Sequence, residues 1–396
     1  MKYFVYRYSP ITVQVPYSEN LAIVCPPALR SAYVDRGFPP EQIFVLDDFE
    51  LWTLLDFFES RSDIEDLFTL DEDLMDIVAL VHSFLSKEKG RWRLGFLYKD
   101  KKRMRQQVEG HVNQPRLLNP QEPLPSNFMV KARNGSAAKG VSRLTSLSEG
   151  FDTSQQLLEE VFEHDYMFTC DGLAIDGTIR YFYSHEYLGT VLDSREKYCT
   201  VIRTNSWYAD LDFIQRLQRE TQKVLEALGT ERVHPFHAEF FYNSKTDELA
   251  FCEVGKRFGG GNIPLLIETA FDVDILKRYW ELQLETEHME LTQRADMEIG
   301  IEKVESSSGG RLPIEDTTSK LAIPATVAAS ILFLQNGGEQ TKPEPPYSLT
   351  YFREYPDRHR AAKSVGELRF LMSLLLKNED EWQELLQWLR GYLDES

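Results

Sequence analysis

The sequence predicts a multidomain chain, α/β at its start and α+β thereafter. Over the first stretch of roughly 90 residues, short apolar strand candidates alternate with runs of helical period. Two hairpin patterns come later, one centred on Asp176-Gly177 and one on Asn243-Ser244-Lys245-Thr246-Asp247-Glu248. Amphipathic helices, of which Phe213–Leu228 closed by Gly229 is the clearest, stand between the hairpins instead of linking parallel strands.

Taken in order, Lys2–Tyr8, Leu21–Cys25 and Ile43–Leu46 read as strands, and Phe49–Ser60 and Glu72–Leu85 as helices. Thr69 or Asp71 is the N-cap of the second helix, acidic residues crowd its first turn, and Gly90 stops it. No glycine-rich phosphate fingerprint occurs in this unit. A second segment opens at Tyr98-Lys99-Asp100-Lys101, continues as a basic helix with Lys102, Arg103 and Arg105, and reaches a proline-spaced linker, Pro115 to Pro125. Basic runs of this kind are most often solvated faces.

Next comes FMVKARNGSAAKGV, Phe128 to Val141. A short strand delivers Lys131, and a loop of small residues carries Ser136, Lys139 and Gly140. Amides in such a loop can wrap phosphate oxygens while lysines act as point charges; a surface turn is the plain alternative. It is not a Walker A loop, because Val141 stands where Lys-Ser/Thr is required. Gln155–Phe162 reads as a helix end leading into a strand, and Pro264–Leu284 as helical. Ser306-Ser307-Ser308-Gly309-Gly310 marks a loop. Ala322–Leu334 and Tyr347–Glu354 read as strands, Val365–Leu376 and Glu381–Leu393 as closing amphipathic helices.

Composition narrows the function classes. A formal charge of −19 disfavours general nucleic-acid or anionic-membrane binding, since both partners would be repelled. The longest apolar run, Leu321 to Leu334, contains Pro324 and is too short to span a bilayer. Cys25, Cys170, Cys199 and Cys252 show no metal-ligand spacing, as expected for reduced thiols in a cytoplasmic protein.

The most informative stretch is His234 to Gly261. Its two strand-like halves carry Glu239 and Glu253. If Tyr242 lies opposite Leu249, these glutamates become near cross-strand neighbours. Like charges in that position destabilise a sheet, so a bound cation is the economical explanation, with a solvated edge as the plain one. Arg257 and Gly259-Gly260-Gly261 add fixed positive charge and bare amides. The set has the chemistry of a magnesium–phosphate site.

In their order and spacing, the pieces from about residue 65 to 285 resemble the ATP-grasp superfamily. The likeness is to its carbamoyl-phosphate-synthase-like and biotin-carboxylase-like carboxylate–amine ligases, including bacterial L-amino-acid ligases. The resemblance implies an N-terminal pre-ATP-grasp βα domain over residues 1–97 and a two-lobed ATP-grasp module with antiparallel sheets over 98–290. The lid lobe would span about 120–192 and the larger lobe 193–290, with a C-terminal α+β extension over 291–396 completing the large lobe. By the same resemblance Lys101 and Lys131 reach the nucleotide phosphates, and Gly135–Val141 closes over them through Ser136, Lys139, Gly140 and Val141. Glu160-Val161-Phe162 forms the hinge that holds adenine. Glu239 and Glu253 bind Mg2+, with Mn2+ as a substitute, and Arg257 completes the E-x-N-x-R motif. Two positions depart from the pattern: Met167 where a ribose-binding Glu is common, and Gly255 where an Asn completes the second metal site.

The implied reaction is attack of a carboxylate on the γ-phosphate of ATP, then capture of the acyl-phosphate by an amine to give an amide, ADP and phosphate. Lys131 and Arg257 carry the catalytic roles. Implied partners are small carboxylate and amine substrates of amino-acid type, with a carrier protein and a homodimer left open. The alternatives are an ATP-binding regulatory or carrier-recognising subunit without turnover, and a ligase acting on a carrier-bound substrate. His237 is read either as a substrate contact or as a core histidine; Arg180, Arg195 and Arg203 are read either as carboxylate binders or as surface residues.

Overall fold

The computed structural model describes residues 1–86, 90–147, 150–189, 198–285, 321–362, 364 and 366–395. Among them, β1 (Lys2–Val5), β2 (Leu21–Cys25), β3 (Ile43–Val45) and β4 (Asp66–Phe68) form a parallel sheet in the order β3-β2-β1-β4. Parallel neighbours need crossovers; α1 (Arg30–Val34) leads from β2 to β3, and α2 (Leu51–Glu59) from β3 to β4. Strand β2, LAIVC, is buried at every position and is accordingly apolar throughout. Helices α3 (Met75–Ser86), α4 (Arg91–Lys99) and α5 (Lys101–Val108) lead out of this sheet.

A small antiparallel sheet follows in the order β6-β5-β7, built from β5 (Phe128–Ala132), β6 (Ser142–Leu144) and β7 (Gln156–Glu160). The largest sheet runs β12-β11-β8-β9-β10-β13-β15-β14 and is antiparallel at every pairing. Its strands are β8 (Tyr166–Ile175), β9 (Thr178–Tyr187), β10 (Cys199–Thr204), β11 (Val233–Asn243), β12 (Glu248–Gly255), β13 (Val327–Leu334), β14 (Leu349–Glu354) and β15 (Leu368–Leu376). Helix α6 (Leu211–Leu228) is capped by Asp210 and lays Phe213, Leu217, Val224 and Leu228 into a core with Phe168 and Phe236. Helices α7 (Ile263–Phe271) and α8 (Ile275–Leu284) join the large sheet to the N-terminal sheet, where Trp280 Nε1 donates to the Val13 carbonyl at 2.7 Å. Helix α9 (Glu379–Glu395) covers β13 and β15 with Trp382, Leu385 and Leu389.

The structure corrects three readings and adds a helix. In place of the helix expected over Val365–Leu376, Leu368–Leu376 is a strand paired to both β13 and β14. The helix expected over Pro264–Leu284 is two, because Asp272 turns left-handed at φ 57° and Asp274 caps a new helix by accepting from the Lys277 amide. Gln156–Glu160 is wholly strand. Helix α4, which begins directly after Gly90, was missed by the sequence reading. The Ser306–Gly310 loop and Arg195 lie outside the described residues.

Candidate active site

Hairpin β11–β12 has the register the sequence implied, with Tyr242 opposite Leu249. A bulge between Glu239 and Phe240 then sets Glu239 directly opposite Glu253. Each carboxylate has a protein partner. Tyr187 donates to Glu239 Oε1 at 3.0 Å, and His237 Nε2 stands 3.5 Å from the same oxygen. Lys101 Nζ lies 3.1 Å from Glu253 Oε2 and also donates to the Gly135 carbonyl at 2.6 Å. The repulsion between the two glutamates is therefore met in part by the protein's own cations, a refinement of the single-cation expectation. Burial works against the Glu253 anion, yet Lys101 and Lys131 outweigh it and hold the carboxyl below its usual range.

The lysines are placed by simple devices. Asp100 caps α5 by accepting from the Lys102 and Arg103 amides, and it also pairs with Arg133 at the end of β5. Lys101 thus begins a helix pinned to the small sheet. Lys131 is buried on β5 with its Nζ 2.7 Å from Glu159 Oε2, and Arg105 Nε takes the other oxygen at 2.6 Å. Despite burial, these two cations pull the Glu159 pKa down to about 2. The residue gripping Lys131 is Glu159; its neighbour Glu160 instead accepts from the Arg116 amide at 2.9 Å.

Arg257 donates through Nε to Glu72 Oε2 at 2.7 Å and through Nη1 to the Phe258 carbonyl at 2.9 Å. Glu72 belongs to the acidic triplet before α3, read from sequence as an N-cap, Asp71, and the acidic first turn of the helix. Its members reach into three places: Asp71 holds Arg7 at 2.7 Å, Glu72 holds Arg257, and Asp73 holds Lys99 at 2.8 Å. The triplet fastens the N-terminal sheet to the site.

His237 is buried, with Nδ1 2.7 Å from Asp171 Oδ1; Thr169 donates to the other Asp171 oxygen at 2.7 Å. Burial opposes its charge, but Asp171 prevails and lifts the His237 pKa to about 9. Gly259 is a steric requirement of this pair. A Cβ there would fall 2.7 Å from Asp171 Oδ1 and 2.8 Å from His237 Nδ1.

These side chains surround a cavity of about 550 Å³. Lys101, Lys131, Ser136, Lys139, Val141, Glu160, Val161, Phe162, Glu239, Glu253 and Arg257 all line it. Gly140 does not. Its φ of 73° carries the loop back so that its carbonyl accepts from the Ala132 amide at 3.1 Å. At one end Met129, Val161, Phe162 and Phe241 make an apolar slot, and His164 lies against the Phe241 ring at 4.3 Å. Met167 lines the cavity too, and supplies no acid for a ribose. Sequence reasoning missed Glu72, Glu159, Tyr187, Leu332 and Leu368 in these walls. Of the three arginines weighed as carboxylate binders, Arg203 is buried between Glu186 at 3.0 Å and Glu379 at 2.8 Å, and Arg180 is not among the lining residues.

Among the described residues no group of three or more His, Cys, Asp and Glu side chains could hold a metal on its own. Magnesium takes one or two carboxylates and completes its shell with phosphate and water. Glu239 and Glu253 are two carboxylates that could supply such a set. Gly255 provides no side chain, and a Cβ there would stand 3.3 Å from Arg257 Cγ.

No known family model matches the sequence, and no curated protein does. Solved structures match along nearly the whole chain. An L-amino acid ligase from Bacillus licheniformis is 15% identical with a TM-score of 0.64, covering 99% of this chain and 96% of that one. A carboxyaminoimidazole ribonucleotide synthase from Aspergillus clavatus, complexed with ATP, is 11% identical with a TM-score of 0.65, covering 100% and 98%. A biotin carboxylase from Campylobacter jejuni is 10% identical with a TM-score of 0.57, covering 95% and 87%. At these identities the likeness is one of fold, and the fold is ATP-grasp.

Proposed function

We propose that the chain is an ATP-dependent carboxylate–amine ligase that forms an amide through an acyl-phosphate and releases ADP and phosphate. One observation carries the reading: two acids made direct cross-strand partners in a cavity that also holds Lys101, Lys131 and Arg257. A site with paired acids alone would repel a triphosphate. One with cations alone would bind it without a metal to order the phosphates.

Adenine would enter the slot at Met129, Val161, Phe162 and Phe241, with the Glu160–Phe162 backbone along its edge. Lys101 and Lys131 face the phosphates; Ser136 and Lys139 lie on the loop that covers them. Glu239 and Glu253 would hold Mg2+, or Mn2+ in its place, which when bound neutralises phosphate charge and orients the γ-phosphoryl group. Arg257, steadied by Glu72, would offset the negative charge that grows as the carboxylate oxygen attacks phosphorus. Phosphoryl transfer asks mainly for alignment and charge neutralisation, and buried ion pairs give fixed geometry for both. The loop over the cavity keeps water from the acyl-phosphate.

We assign the reaction to the cytoplasm. Four buried cysteines, none of them in a disulfide, support that. The test is ADP release and mass-spectrometric product detection with panels of carboxylates and amines. Amide formation that requires ATP, Mg2+ and both organic substrates supports the ligase. ATP binding without turnover on any panel makes the chain a nucleotide-binding subunit, and turnover only with a carrier-bound amine makes it a carrier-dependent ligase.

A further inference from the structure

Beside the nucleotide cavity lies a second one of about 400 Å³, sharing Glu72, Ser136, Arg257, Gly260 and Leu368 in its walls. Two ends of the chain make it aromatic. Tyr6 and Tyr8 come from the segment leaving β1, and Tyr351 and Tyr355 from β14 and the residue beyond it. Alternate residues of an extended strand share a face. Tyr351, Arg353 and Tyr355 therefore form one stripe toward the cavity, while Phe352 points into the core under α9.

Arg353 is the odd member of that stripe. Its guanidinium sits 4.8 Å over the Tyr355 ring, and among the described residues no carboxylate lies within ion-pair distance of it. The acids of the cavity are engaged elsewhere: Glu72 holds Arg257 at 2.7 Å, and Asp73 is shared by Lys99 at 2.8 Å and Arg7 at 3.4 Å. Arg257 lines both cavities, whereas Arg353 lines only the aromatic one.

We infer that the amine acceptor is an amino acid with an aromatic or bulky apolar side chain, seated in this cavity with its carboxylate on Arg353; the inference rests on the ligase reading above. An acceptor that keeps its own carboxylate must hold it away from the transferring phosphoryl group, or it becomes the group activated. A cation outside the nucleotide cavity does that, and its planar donors suit a carboxylate. The side chain packs on Tyr6, Tyr8 and Tyr351, where ring edges and faces favour another aromatic group. The acceptor nitrogen then bonds to the acyl carbon, the carbon–oxygen bond to phosphate breaks, and phosphate leaves with the electron pair and takes up the N–H proton.

Calorimetric titration of the full chain with phenylalanine, phenylalaninamide and glycine, alone and with Mg2+ and ADP, tests this. Phenylalanine binds; the amide, lacking a carboxylate, and glycine, lacking a side chain, each bind roughly tenfold or more weakly. Arg353→Gln removes the difference between phenylalanine and its amide and raises the KM for phenylalanine, with ATP binding retained; Arg353→Lys restores part of it. Tyr351→Ala weakens phenylalanine and spares glycine. Equal affinity for phenylalanine and its amide in the unaltered chain, or no response to Arg353→Gln, overturns the assignment. Arg353-dependent phenylalanine binding without any amide product keeps the pocket and removes the ligase reading. Amide formation confined to small or acidic acceptors keeps the ligase and removes the pocket.

Discussion

The two neighbouring cavities are built on opposite principles. Around the nucleotide cavity nearly every charge is held by another: Lys101 by Glu253, Lys131 by Glu159, Arg257 by Glu72, His237 by Asp171. Around the aromatic cavity Arg353 rests on a ring, with no carboxylate within ion-pair distance among the described residues. Fixed pairs orient groups without reorganisation as charge moves, which suits a reaction whose electrostatics are the same for every substrate. A cation without a partner anion leaves its best interaction for a ligand, which suits selection. Under the proposed ligase function, the first region would set the chemistry and the second what it is performed on.

Four perturbations sharpen that contrast. Glu253→Gln gives the largest effect. It removes a metal donor and the partner of Lys101, and ADP release falls roughly 10²–10³-fold, with thermal unfolding little changed. Glu72→Gln leaves Arg257 beside a neutral partner; kcat falls about tenfold while ATP affinity holds, as expected when an interaction is lost mainly in the transition state. Turnover unaffected by Glu72→Gln breaks the link between the acidic triplet and the site. Gly259→Ala pushes a methyl against Asp171 and His237, destabilising by about 1–3 kcal/mol in denaturant unfolding.

The smallest effect is one of pH. His237 is raised from 6.5 to about 9 in the fold. A folded-state pKa above the unfolded one stabilises fully below the unfolded value and is lost as pH rises through the folded value. The His237 contribution is therefore whole below about pH 6.5 and fades through about pH 9. Unfolding midpoints of the parent and His237→Asn chains converge across that window. Parallel curves would mean a neutral imidazole.

Much of the larger cavity's lining was legible because a period of two fixes what faces what. Reading Tyr242 opposite Leu249 was enough to bring Glu239 and Glu253 together, and the bulge finished the alignment. Glu159 was overlooked beside Glu160 because neighbours in a strand face opposite ways, and the pattern does not say which side is buried. The error at Leu368–Leu376 has a similar source. That strand lies between β13 and β14 and is mostly buried, so LRFLMSLLL is apolar on both faces and mimics a helix segment. Glu72 and Tyr6 were illegible for another reason. They reach the site from the N-terminal end, and no local spacing announces contacts 185 residues apart, the separation of Glu72 and Arg257.

Manganese bound with ATP tests the central claim most directly, by electron paramagnetic resonance of the unaltered, Glu239→Gln and Glu253→Gln chains. The unaltered chain should immobilise Mn2+ only when ATP is present, and each substitution should weaken that signal by an order of magnitude or more. Undiminished Mn2+–ATP binding in the double variant Glu239→Gln/Glu253→Gln would contradict the assignment of these carboxylates to the metal.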